Sequence, residues 1–518
     1  MMTKYKNLIW RYAPLALIFI LGFSLIGYWL ATIQSPGLHG DEAWFGMKAF
    51  EYRFIGISQP YGMNFYTGIL QAGLNALIFY FFDFGILQLR IIGIIFNGLA
   101  LILLTTYLYI RVNPRAAAYT LLLFSQSLLY LVYPKIAWEV CSFNLIFLVL
   151  FLISINELNQ KKHILIFWQA VLLLSSALGS YNHIIFSSLP IATFIGLLLW
   201  QVFNTRSING SILLTTLFIN CINVILLFIY MKWGVDLAWQ KIGPLSLAVP
   251  LALIITELIF LATISQYSIK FLHTLSTKIS IRWLCGSLLV ACALIFLYFH
   301  GRELVQIFSQ RILFIRFFSY DPPSLLKNSL KFIGIILIIY LFFQLIINFI
   351  RQPKNPLTFI LLAYLGIFCL YTTDFSIRYF LIPFALIYIF LGYQLSLRSN
   401  LLNRAIIGTI VVGTLLSQGC LWYLATKTDR PIKAMQFSIG NGRVETSAHF
   451  IPADPLIRYM LANQASNIIT KEPFFIGNVV DFYKTFTPAL LNKPNIIEVN
   501  YEVEQLGDGY SKKLILRQ

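Results

Sequence analysis

Two adjacent carboxylates, Asp41 and Glu42, stand in "SPGLHGDEAWFGMKAF", a stretch punctuated by Pro36, Gly37 and Gly40 that follows directly on a long apolar run. Taken alone, the pair also fits an ordinary solvated loop end. Other charges recur at neighbouring apolar boundaries. The short turn "YPKIAWEV" carries Lys135 and Glu139, close to or within the membrane surface, where ionisable groups are costly and often functional. An intrahelical pair between these two, one turn apart, is the plain alternative. Arg90 follows "FFDFG", and "TTDFSIRYFLIP" sets Asp374, Arg378 and Tyr379 before a late apolar run. Either arginine taken singly is equally well explained as a snorkelling anchor. Together the carboxylates Asp41, Glu42 and Glu139 and the cations Arg90, Lys135 and Arg378 suit a lipid-linked phosphate donor. Cations hold the phosphate and stabilise its developing charge, while a carboxylate takes the proton of an acceptor hydroxyl. A glycosidase needs a second carboxyl group to protonate its alcohol leaving group, whereas a phosphate departs without one. One base and a phosphate clamp therefore suffice, and direct attack on the anomeric carbon inverts it.

The elements that must position these groups are membrane helices. The chain of 518 residues is 58% hydrophobic and 11% charged, outside the range of soluble domains. Apolar runs at 13–33, 86–110, 117–134, 139–156, 164–180, 184–203, 211–231, 247–265, 283–299, 325–350, 357–372, 379–397 and 405–425 predict about thirteen transmembrane helices, the first an uncleaved anchor. With the N-terminus cytoplasmic, alternate loops hold 15 cations and one acid, Glu157, as the positive-inside tendency requires. The stretch 64–82 is long enough to span, but a crossing there would invert every later loop. It is therefore expected in the outer interface or as a re-entrant helix, helped by Asn64, Gln71 and Asn75. Residues 426–518 turn polar and predict a small extracytoplasmic α/β domain. Asp454 and Pro455 open a helix, and "NIIEVNYEV" and "YSKKLILRQ" form two strands around a turn. The expected organisation is thus an all-α multi-pass domain, 1–425, with an external loop 34–85, followed by the domain 426–518.

The segments "GDEAWFGMKAFEYRFIG", "LNALIFYFFDFGILQLRIIG", "KIAWE" and "IRYFLIP" resemble the GT-C glycosyltransferases, especially bacterial enzymes related to protein mannosyltransferases and to the aminoarabinose transferases of lipid A. The likeness covers roughly residues 10–425. It implies a GT-C fold in the inner or plasma membrane and an active site on the extracytoplasmic face. It implies Asp41 as the main catalytic acid with Glu42 beside it, Arg90 opening the second helix, and Glu139 as the second external acid. Lys135 stands where many relatives carry an arginine, so a point-charge phosphate contact replaces a bidentate grip. Arg378 and Tyr379 match the family's "RY" more loosely. The implied reaction is inverting transfer from a polyprenyl-phosphate sugar to a hydroxyl of lipid A, a cell-surface glycan, a glycolipid or a protein. A lipid or sugar transporter or flippase without transferase activity is the alternative, and a silent scaffold a third.

Other features carry less. No cofactor is required by this chemistry; a divalent metal at His39 or His183 with Glu42 is conceivable on the family pattern, against a plain hydrogen bond or a solvated ring. All six cysteines fall in or beside apolar runs, and the net charge of +18 is explained by membrane orientation, with no module for nucleic acid. Arg302, Arg311 and Arg316 in the loop 300–324 suggest a headgroup-level helix, either recruiting an anionic substrate or simply resting there. Glu257 reads as a buried, partnered acid or one near a helix end, with a transport site as the alternative.

Overall fold

The computed structural model describes residues 2–58, 61–63, 67–160, 165–204, 210–233, 322–351, 355–368, 377–397 and 399–426, individual residues between 254 and 317, and most of 433–517. Its helices are α1 (Met2–Ala31), α2 (Gly40–Phe54), α3 (Leu70–Phe81), α4 (Ile86–Arg111), α5 (Pro114–Gln126), α6 (Leu128–Val132), α7 (Glu139–Asn159), α8 (Leu165–Asn182), α9 (Ser188–Asn204), α10 (Gly210–Trp233), α11 (Ser324–Arg351), α12 (Leu357–Phe368), α13 (Leu381–Leu397) and α14 (Leu401–Thr426). The polar tail adds β2 (Lys433–Ile439), β3 (Arg443–Glu445), β4 (Phe450–Ile451), α15 (Ala453–Ala462), β5 (Ala465–Ile469), α16 (Asn478–Phe486), β6 (Asn495–Leu506) and β7 (Gly509–Arg517), while β1 (Leu38–His39) lies just before α2.

Eight of the described helices are long and apolar enough to cross a membrane, which makes the chain a multi-pass membrane protein. The expected run 117–134 is not one straight span. It is α5 and α6, bent by 80° at Ser127, whose extended backbone ends the first helix. The amide of Leu128, freed by the break, donates to the side chain of Gln310 at 3.1 Å, as backbone inside a bundle must find a partner. The expected spans 247–265 and 283–299 lie outside the described residues apart from Ile254, Ile255 and Glu257.

The stretch 64–82 yields α3, only 12 residues long. It is too short to be counted among the spans, and its polar residues are used inside the fold. Gln71 and Asn75 are fully buried, and the Asn75 amide donates to the carbonyls of Gln88 and Leu89 at 3.2 and 2.9 Å, fixing α3 to the start of α4. Tyr80, Phe81 and Phe82 are exposed beside Phe54 and Ile55 at the end of α2, an apolar rim on this face of the bundle. Part of the loop 300–324 is described. Leu304, Ile307, Phe308, Leu313, Phe314 and Phe317 are buried in the main core, and Phe317 packs edge-on against Tyr133. Its arginines lie outside the described residues.

The C-terminal strands form one sheet of order β3-β2-β7-β6-β5, built on the antiparallel β6–β7 hairpin with β5 parallel to β6. The hairpin agrees with the sequence. Helix α15 starts at Ala453, so Asp454 and Pro455 fill its first turn. A second core unites this region with the carboxylate-bearing segment: Leu456, Met460, Val479 and Phe482 pack with Leu38, Ala43, Ala49, Phe79, Leu89 and Ala137.

Candidate active site

Asp41 and Glu42 lie in the first turn of α2 rather than in open loop, where the positive end of the helix favours carboxylates. His39 caps that turn. Its Nδ1 accepts from the Asp41 amide at 3.0 Å, and its own amide donates to Glu42 Oε2 at 3.1 Å. Because Nδ1 is an acceptor, the ring is held neutral, and its 3.7 Å approach to the Asp41 carboxylate is proximity without an ion pair.

Consecutive helical residues point about 100° apart, and the two carboxylates therefore enter different surroundings. Glu42 turns inward. Arg90 Nε donates to its Oε1 at 2.9 Å and the terminal nitrogen NH2 to its Oε2 at 2.7 Å, with both side chains fully buried. The Ala137 amide adds 2.8 Å to Oε1. With the His39 amide, all four lone-pair sites of Glu42 are filled. Arg90 is saturated in turn, its remaining donors going to the carbonyls of Ile33 at 2.7 Å, Pro36 at 3.0 Å and Gly37 at 2.8 Å. All five donors of Arg90 are thus used inside the chain. Lys135 is likewise occupied: its Nζ donates to the carbonyl and hydroxyl of Thr32 at 2.8 and 2.6 Å and lies 4.9 Å from the Tyr28 ring centre. It makes no ion pair with Glu139 among the described residues, because it sits in the 3-10 turn Tyr133–Lys135 and the chain runs extended between it and α7.

Asp41 turns the other way. Its Oδ2 meets a terminal nitrogen of Arg378 at 3.1 Å, and the two side chains retain 13% and 14% of their exposure. Arg378 comes from the 3-10 turn Ile377–Phe380 that leads into α13, and its guanidinium lies 4.5 Å from the Trp138 ring and 5.5 Å from Tyr379. Its Nε has no hydrogen-bond partner among the described residues. Glu139, the first residue of α7, is buried within electrostatic reach of both Arg378 and Asp41. His183, between α8 and α9, packs against Tyr379 at 5.3 Å, with its Nδ1 accepting from the Ile185 amide. Burial pushes the His183 imidazole down to about 3, and the Arg378 charge adds to the effect. Asp374 lies outside the described residues.

Of the sequence-predicted residues, Asp41, Arg378, Tyr379 and Glu139 thus form one half-open cluster, while Glu42 and Arg90 form a closed buried pair and Lys135 is tied to Thr32. Sequence reasoning missed Trp138, which carries Arg378 on its face and meets the His39 ring edge at 4.5 Å. Its place inside "KIAWE" between charged residues was the available signal. For a divalent ion, Glu42 has no lone pair to give, and Nδ1 of both His39 and His183 is already accepting; among the described residues no group of three metal-ligating side chains converges.

The C-terminal region holds the same loop. Strand β1 pairs with β4, with His39 opposite Phe450. The Asn478 amide donates to the Gly40 carbonyl at 3.5 Å, one residue before Asp41. Gly46 of α2 lies against the Phe482 ring of α16, so close that any Cβ would collide with it.

No family model matches the chain, and neither does any curated protein. Among solved structures it is similar to the apo oligosaccharyltransferase of Archaeoglobus fulgidus, at 13% identity and a TM-score of 0.48, over 80% of this chain and 56% of that one. The oligosaccharyltransferase AglB from Archaeoglobus fulgidus, in complex with an inhibitory peptide and a dolichol-phosphate, gives 13% and 0.40 over the same shares. ArnT from Cupriavidus metallidurans bound to undecaprenyl phosphate gives 10% and 0.36, over 97% of each chain. The chain spans just over half the length of the archaeal protein.

Proposed function

We propose that the protein is an inverting glycosyltransferase that moves a sugar from a polyprenyl-phosphate donor to an acceptor hydroxyl, working at the extracytoplasmic membrane face. The observation that carries this reading is the half-open Asp41–Arg378 pair, a carboxylate and a guanidinium held together with Glu139 and Tyr379 beside them. An arriving phosphate competes with Asp41 for the guanidinium, which has donors to spare. Asp41, released, takes the proton of the acceptor hydroxyl as that oxygen attacks the anomeric carbon. The bond from that carbon to the phosphate oxygen breaks, its electron pair stays on the oxygen, and Arg378 stabilises the new charge. Glu139 orients a hydroxyl of acceptor or sugar, and Tyr379 flanks the phosphate. Glu42, Arg90 and Lys135 act as the brace that fixes the loop, in place of the direct contacts that their residue types suggested.

A sugar on a lipid phosphate suits this chain because its tail dissolves in the bilayer while its headgroup reaches the α2 face. Aminoarabinose, mannose and other sugars fit this chemistry alike, as do lipid A, glycan, glycolipid and protein acceptors. The test is to incubate purified protein with a polyprenyl-phosphate sugar and acceptor glycolipid and to quantify free polyprenyl phosphate. Wild type releases it. Asp41→Asn loses about 10²- to 10⁴-fold in turnover while retaining its thermal stability. Lipid movement without release would mark a carrier instead, and near-normal turnover of the variant would reject Asp41 as base.

A further inference from the structure

At the far end of the bundle a cavity of about 540 Å³ opens between the end of α11, the start of α12, the end of α13 and the start of α14. It is distinct from the active site. Arg378 precedes α13 and Gln394 lies near the other end of that helix, 16 residues on, or about 24 Å at the helical rise. Its volume falls in the range of sites for small ligands and headgroups.

The lining is chemically uneven. Six carboxamides face it, those of Gln344, Asn348, Asn355, Gln394, Asn400 and Asn403, together with one cation, Arg351, and no acid. Gln394 is the telling member. It is only 6% exposed and its carboxamide makes no hydrogen bond to any described residue. Set in the cavity wall, that amide is a fixed donor and acceptor open to a ligand. Arg351 makes no ion pair with a described residue either. Carboxamides both donate and accept, and so match hydroxyl groups, while a guanidinium matches a phosphate. An ammonium headgroup would meet no carboxylate here. The cavity is flanked by apolar side chains left in the open, Phe343, Leu397 and Leu402 at 45%, 50% and 45% exposure, where acyl chains can lie.

From this arrangement we propose that the cavity binds the headgroup of an anionic, hydroxyl-bearing phospholipid of phosphatidylglycerol chemistry. Arg351 holds the phosphodiester and Gln394 a headgroup hydroxyl. The full-length protein in detergent is titrated with phosphatidylglycerol, phosphatidylethanolamine and soluble sn-glycerol 3-phosphate, and bound lipid is counted by native mass spectrometry. Wild type binds phosphatidylglycerol about tenfold more tightly than phosphatidylethanolamine, and glycerol phosphate does not displace it. Arg351→Gln, on an exposed side chain that the fold does not need, and Gln394→Leu each reduce that preference about tenfold while the protein stays monodisperse. Equal binding of both lipids by wild type overturns the proposal. So does an undiminished preference in both variants, and displacement by glycerol phosphate assigns the cavity to a soluble ligand and overturns it too.

Discussion

Asp41 and Glu42 are neighbours in the chain, share one helical turn and each face an arginine, yet their pairs differ in almost every physical respect. Glu42–Arg90 is fully buried and saturated by backbone groups on every side. Asp41–Arg378 is a single contact at 3.1 Å with exposure on both partners and donors unspent on the arginine. A saturated pair has nothing left to offer a substrate; a half-made one can exchange its partner for a ligand. The first pair is closed and the second is open to exchange, and charge alone did not distinguish them.

The sharpest way to break this comparison is to remove one partner of each arginine pair. Arg90→Ala strands Glu42 as a buried charge and deprives three carbonyls of their donor, and it is expected to cost about 3–5 kcal/mol. Thermal unfolding in detergent would register this as loss of most of the folded protein; an unchanged midpoint would refute the brace. Arg378→Ala leaves folding nearly intact and lowers turnover about 10²- to 10³-fold, with Arg378→Lys restoring only part, because an ammonium lacks the planar two-nitrogen fork that grips a phosphate bidentately. Steady-state release of polyprenyl phosphate measures both, and a stability loss as large as that of Arg90→Ala would put the two pairs in one class.

A milder test concerns the clamp behind the loop. Gly46→Val forces a side chain into the Phe482 ring and is expected to cost about 1–3 kcal/mol, with a parallel drop in turnover as α16 is pushed from α2. Full activity in this variant would uncouple the C-terminal sheet from the site. The smallest effect is on pH. His183 is neutral when folded, with its pKa held near 3, so the unfolded chain binds the extra proton between pH 6.5 and 3. Its contribution is complete above pH 6.5 and falls as the medium is acidified, by about 1 kcal/mol at pH 5.5. His183→Gln should flatten that part of the stability profile measured by thermal unfolding.

Much of the fold was legible because a bilayer demands long apolar runs, and most of the described spans lie where hydropathy put them. The break at Ser127 was not, since nothing local marks it; the Leu128 amide that it frees is satisfied by Gln310, 182 residues away in sequence. The partners of the polar residues of α3 were hidden for a related reason. Gln71 and Asn75 look like headgroup-seeking residues until α4 supplies buried carbonyls for them. In the site, Asp41, Glu139, Arg378 and Tyr379 were named from residue type and position, and the structure gathers them. Trp138 was passed over because a tryptophan in an apolar setting reads as packing until a guanidinium lies on its face.

By itself the sequence determined that the chain crosses a membrane many times and that alternate loops are almost free of acids, because both follow from one-dimensional patterns of hydropathy and charge. Only the tertiary structure decided which of those charges are spent on one another. Hydrogen-bond saturation depends on distances between α1, α2, α4 and the turn before α7, and those distances arise from packing, which no local stretch of residues encodes.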